Sequence, residues 1–63
     1  MPFAQIHMTV GRTEAQKKAL IDNVSEAIAN SISAPKESIR VCIQEVPKEN
    51  WGIAGKTAKE LGK

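Results

Sequence analysis

The sequence predicts a small α/β fold of the α+β type: one βαβ unit with parallel strands, followed by a short carboxy-terminal hairpin. Two alternating apolar segments, residues 3–10 and 39–46, flank a single stretch with helical periodicity. A crossover of this length joins parallel strands, and such crossovers are right-handed. After the second strand, residues 51–56 carry two glycines in a short span, a turn signal.

Residues 3–10 place Ala4, Ile6, Met8 and Val10 on one face and Phe3, Gln5, His7 and Thr9 on the other. Gly11-Arg12 ends this strand, and Thr13-Glu14-Ala15-Gln16 has the capping-box pattern that starts a helix. From there Ala15, Ala19, Leu20, Val24, Ala27, Ile28 and Ile32 recur at three- and four-residue spacing, so the helix should run to about Ser31. Glu14 precedes Lys18 by four residues, the favourable order for a helical ion pair. Pro35 breaks the helix and biases Ala34 away from helical geometry. A tight connection through Lys36-Glu37-Ser38 leads to the second strand, with Ile39, Val41 and Ile43 opposite Arg40, Cys42 and Gln44. Pro47-Lys48-Glu49-Asn50 is turn material, and Trp51-Gly52-Ile53-Ala54-Gly55-Lys56 reads as a hairpin pivoting on Gly52 and Gly55. The lysine-rich end, residues 56–63, reads as a solvated tail.

The chain of 63 residues is expected to form a single domain over residues 1–63 with a thin core. Aromatic residues are Phe3 and Trp51 alone, and the lone Cys42 excludes an internal disulfide. Two strands and one helix do not stand alone, so the sheet is expected to be completed by oligomerisation, edge to edge with another copy. A net charge of +2 without a basic stripe or interleaved aromatics argues against nucleic acid as a partner. No apolar run spans a bilayer and no signal-peptide layout opens the chain, which leads us to expect no membrane partner and a soluble, cytoplasmic protein. No metal-ligand spacing is present. Cys42 reads as a small buried hydrophobe, and His7 as a hydrogen-bonded packing residue.

Met1-Pro2 carries the chemical signal. Removal of the initiator methionine before a small residue would leave Pro2 as a free secondary amine, a rigid base. In a dry pocket near cations its charged form is disfavoured and its pKa falls toward neutrality. Arg12 and Arg40 suit an anionic substrate, because guanidinium groups hold carboxylates in bidentate fashion. Trp51 offers a flat apolar wall that excludes water. Parallel strands place Pro2 and Arg40 at one end of the sheet. Arg12 lies ten residues after Pro2, roughly 30 Å away along extended chain, so it can serve Pro2 only from a neighbouring subunit.

Pro2, Ala4-Gln5-Ile6-His7, Gly11-Arg12-Thr13, Gln16-Lys17, Val24-Ser25-Glu26-Ala27-Ile28, Ala34-Pro35, Ile39-Arg40-Val41 and Trp51-Gly52-Ile53-Ala54-Gly55 resemble the 4-oxalocrotonate tautomerase family over essentially the whole chain. The resemblance implies a tautomerase (MIF-like) fold, a hexamer built as a trimer of dimers with shared sites, and a cofactor-independent isomerase of aromatic-hydrocarbon catabolism. It implies that Pro2 shuttles a proton in 2-hydroxydienoates such as 2-hydroxymuconate, giving the conjugated 2-oxo acid. It further implies that Arg40 from another subunit binds the 1-carboxylate and the 2-oxygen, that Arg12 holds the far carboxylate, and that Trp51 is the wall. Trp51 stands where the best-known members have phenylalanine, and Thr9-Val10 departs from their commoner leucine and acidic residue, which alters the pocket. Alternative readings on the same scaffold are hydration or dehalogenation of an unsaturated acid by Pro2, and a non-catalytic oligomeric interaction protein.

Overall fold

A computed structural model describes all residues, Met1 to Lys63. Strand β1 (Phe3–Thr9) leads into helix α1 (Glu14–Ile32), and strand β2 (Arg40–Val46) returns parallel to β1 in the register Phe3 with Arg40 through Thr9 with Val46. The hairpin β3 (Gly52–Ile53) and β4 (Lys56–Thr57) forms a separate antiparallel ribbon. The expected βαβ unit and hairpin are both present.

Helix α1 starts where the sequence says it should. The Thr13 hydroxyl accepts from the Gln16 N–H at 3.1 Å, and the Gln16 side chain accepts from the Thr13 N–H at 3.0 Å. It ends one residue past the expected limit, because Ser33 takes a left-handed conformation (φ 56, ψ 37) that closes the last turn before Pro35 intervenes. The short connection is a 3-10 turn at Lys36–Ser38. Ile39, expected to open β2, caps that turn instead and is one of the two buried residues.

Burial alternates along both strands. Ala4, Ile6 and Met8 with Val41 and Ile43 are half-buried on the helix side; Phe3, Gln5, His7, Arg40, Cys42 and Gln44 stand exposed on the other. Cys42 is therefore not a buried hydrophobe, because its odd-even position puts it on the uncovered face, and His7 is likewise exposed rather than packed. On the helix, Leu20, Val24 and Ile28 are half-buried, but Ala19, Ala27 and Ile32 are exposed. A two-stranded sheet is too narrow to cover the whole apolar stripe. Only Ile39 and Ala58 are buried in the subunit, whose extents of 42 × 24 × 13 Å describe a slab. Its radius of gyration of 14.5 Å exceeds the ~11 Å of a compact domain of this length.

Lys17 Nζ bonds Glu45 Oε1 at 2.9 Å, tying α1 to β2, while Lys36 reaches both Asp22 and Glu26. Glu14 and Lys18 form no ion pair. The expected glycine pivots are revised: Ala54 (φ 52) and Gly55 (φ 84) make the turn, two positive φ values in succession, whereas Gly52 lies in β3.

Candidate active site

The strand register decides which candidate residues can meet. Pro2 sits just before β1, and its carbonyl accepts from the Arg40 N–H at 3.1 Å, one step beyond the Phe3–Arg40 pair. Pro2 and Arg40 are thus neighbours at one end of the sheet, as the parallel topology requires.

Their side chains nevertheless belong to different surroundings. Pro2, with Phe3, lines a cavity of about 360 Å³ whose other walls are Val24, Ala27, Ile28, Ser31 and Ile32, so the ring faces apolar side chains of α1. Arg40 lies on the uncovered face with Cys42 and Gln44. Its NH1 donates to the Glu37 carbonyl at 2.7 Å and, more weakly, to the Ile39 carbonyl at 3.4 Å. Both contacts are made by one guanidinium nitrogen.

Arg12 lies at the opposite end. The ladder continues to Val10, whose N–H donates to the Val46 carbonyl at 3.1 Å, and Gly11 then turns the chain with φ 130. Arg12 lines a second cavity, of about 220 Å³, with Met8, Gln16, Lys17 and Leu20. The neighbouring ammonium of Lys17 is neutralised by Glu45, which leaves Arg12 as the cation available to an anion there.

Trp51 follows the same end. Val46 pairs with Thr9, and the chain then passes Pro47 and a 3-10 turn at Lys48–Asn50, of which Trp51 is the cap. The tryptophan is half-buried. The candidates therefore sort by sheet end: Pro2 and Arg40 are neighbours at one end, while Arg12 follows the other end of β1 and Trp51 follows the turn after β2, outside the cavity that Arg12 lines. Within the subunit Pro2 and Arg12 do not meet.

The lysine-rich tail is ordered, contrary to the expectation of a solvated end. Thr57 and Glu60 form a second reciprocal cap, and Ala58 is 1% exposed, so this end is a folded turn and not merely a solvated one. The signal was present as Thr57-Ala58-Lys59-Glu60, a capping-box pattern. No helix in the structure is long and apolar enough to cross a membrane.

Comparison with known proteins agrees with this architecture. Residues 2–60 match the family model described as tautomerase enzyme. A 2-hydroxymuconate tautomerase of Pseudomonas putida is 67% identical, and one of Comamonas testosteroni 59%, each alignment covering 100% of both chains. Among solved structures, a 4-oxalocrotonate tautomerase isozyme from Methylibium petroleiphilum superposes with a TM-score of 0.95 at 56% identity, covering 98% of this chain and all of that one. A heterohexameric 4-oxalocrotonate tautomerase from Chloroflexus aurantiacus gives a TM-score of 0.93 at 36% identity, covering 97% and 98%. Identity of this extent over the full length, on the same βαβ unit and hairpin, establishes that the chain belongs to the tautomerase family of isomerases.

Proposed function

We propose that this chain is a cofactor-independent tautomerase acting on 2-hydroxydienoates such as 2-hydroxymuconate, with Pro2 as the general base once Met1 is removed. The carrying observation is Pro2 in an apolar cavity at the sheet end that also holds Arg40. Full-length relatives named for the same reaction support it.

The amine takes the proton of the 2-hydroxyl group, the electrons of the dienol shift along the conjugated chain, and the amine returns the proton to a distal carbon. The product is the conjugated 2-oxo acid, 2-oxo-3-hexenedioate when 2-hydroxymuconate is the substrate. Atoms and charge balance within the substrate and the amine, so the step requires no cofactor. Arg40 binds the 1-carboxylate and polarises the 2-oxygen; Arg12 binds the far carboxylate and draws electron density toward it. Trp51 walls the cavity and keeps water from stabilising the ammonium form of Pro2.

The complete site is shared between subunits. Antiparallel pairing of two β1 edges brings the Arg12 and Trp51 end of one subunit to the Pro2 end of another. The placement of Arg40 on the face opposite the proline cavity favours its delivery from a further subunit, consistent with a hexamer arranged as a trimer of dimers. The relative from Chloroflexus aurantiacus is a heterohexamer.

Intact mass of the purified protein should lack Met1, and Pro2→Ala should lower kcat by about a hundredfold or more, with kcat of the parent rising as the pH passes through neutrality. A retained Met1, or full activity in Pro2→Ala, overturns the reading.

A further inference from the structure

The last seven residues are closed at both ends by hydrogen bonds. At the front, Glu60 Oε1 accepts from the Thr57 N–H at 3.0 Å and from the Thr57 hydroxyl at 3.2 Å, while the Glu60 N–H donates to Thr57 Oγ1 at 3.0 Å. At the back, the Leu61 N–H donates to the Thr57 carbonyl at 3.2 Å, Gly62 to Lys59 at 3.2 Å, and Lys63 to Ala58 at 3.0 Å. With Gly62 at φ 71, the last two bonds form the nested closure of a Schellman motif. One helical turn is thus locked by a capping box and a C-terminal cap together.

This locked turn grips Trp51. The Ala58 N–H donates to the Trp51 carbonyl at 2.7 Å, and the Lys59 N–H to the Lys48 carbonyl at 3.3 Å. Trp51's own N–H makes only a long bond, 3.4 Å, to Lys48. Ala58 itself is 1% exposed, so this bond lies away from solvent. The backbone of Trp51 is therefore held chiefly from the tail.

We infer that Thr57 and Glu60 are positioning residues for Trp51: the reciprocal cap between them fixes Ala58, and Ala58 fixes the tryptophan wall. The inference rests on the proposed role of Trp51 in the proline's site. Neither residue is assigned contact with substrate. If the cap opens, the Ala58–Trp51 bond loosens, the wall moves, and water reaches the amine. The amine's charged form is then less disfavoured, so a higher pH is needed to free the base.

Trp51 is the only tryptophan, so its fluorescence reports on the wall directly. Thr57→Val and Glu60→Ala should shift Trp51 emission to longer wavelength and move the ascending limb of kcat/KM against pH upward. They should also lower kcat/KM by about threefold to tenfold at neutral pH, the scale of a lost cap. Thr57→Ser, which keeps the hydroxyl, should restore all three. If Thr57→Val fails to fold by circular dichroism, Gly62→Ala carries the same expectation, opening the turn from its other end. Parental emission and pH profile in folded variants would overturn the inference, as would a shifted emission with an unmoved pH limb. Trp51→Leu separates the two layers. A changed pH profile in Trp51→Leu beside an unchanged one in Thr57→Val overturns the positioning role alone, whereas an unchanged profile in Trp51→Leu removes Trp51 from the site itself.

Discussion

The Arg40 amide donates to the Pro2 carbonyl at 3.1 Å, so the proline's backbone is anchored by the residue whose guanidinium stands on the other face of the sheet. The anchor is main chain and the charge is side chain, and substitution separates them. Arg40→Lys keeps the amide bond and the charge but loses the planar fork. We expect an unchanged far-ultraviolet spectrum and a fall in kcat/KM of about tenfold to a hundredfold, the scale of lost charge-assisted hydrogen bonds.

Because Arg12 and Pro2 lie at opposite ends of β1, their defects should complement each other. Pro2→Ala and Arg12→Ala subunits, each inactive alone, should regain part of the parental activity when unfolded and refolded together. Mixed assemblies verified by mass spectrometry but without activity would show that the site is not shared.

Ala58 is 1% exposed, and a longer side chain at so closed a position must displace its neighbours. Ala58→Leu should destabilise the protein by about 1–3 kcal/mol, an overpacking cost. The measurement is the midpoint of chemical unfolding, and Ala58→Gly serves as the smaller-volume comparison.

Ala54 holds φ 52 in the hairpin turn, a region that disfavours a Cβ atom. Ala54→Gly should stabilise the hairpin by about 1 kcal/mol, read as a higher thermal midpoint. A lower midpoint would mean that the alanine methyl group has a packing partner in the assembly.

Lys36 is held above its ordinary pKa, first by its hydrogen bond to Glu26 and then by that to Asp22. A raised folded-state pKa means that the folded protein binds the proton more tightly than the unfolded chain. The stabilisation is therefore complete below the lysine's unfolded pKa and is lost as the pH rises through the folded value. The stability difference between parent and Lys36→Met should be flat through neutral pH and shrink only in the alkaline range. It should be small and salt-sensitive, since the ion pairs are exposed.

What could be read from the sequence was what is local or topological. Thr13 and Gln16 specify a helix start by chemistry contained in four residues, and the structure forms both bonds. The crossover length specifies parallel strands, and from that the meeting of Pro2 and Arg40 follows. Strand position outweighs residue type at Cys42: a thiol's preference is for the interior, but its place between Val41 and Ile43 puts it on the uncovered face. Thr57-Ala58-Lys59-Glu60 carries the same kind of signal as the Thr13 cap, but no apolar run follows it to mark a helix. The proposed union of Pro2, Arg40, Arg12 and Trp51 in one site is not legible from one chain, because the proposal places its parts on surfaces of different subunits.

Only Ile39 and Ala58 are buried in a slab of 63 residues, and this reaches beyond architecture. Such a chain has little interior of its own to lose, so in the proposed assembly folding and association should form one equilibrium governed by mass action. Its melting temperature should then rise with protein concentration, and dilution alone should favour the unfolded chain.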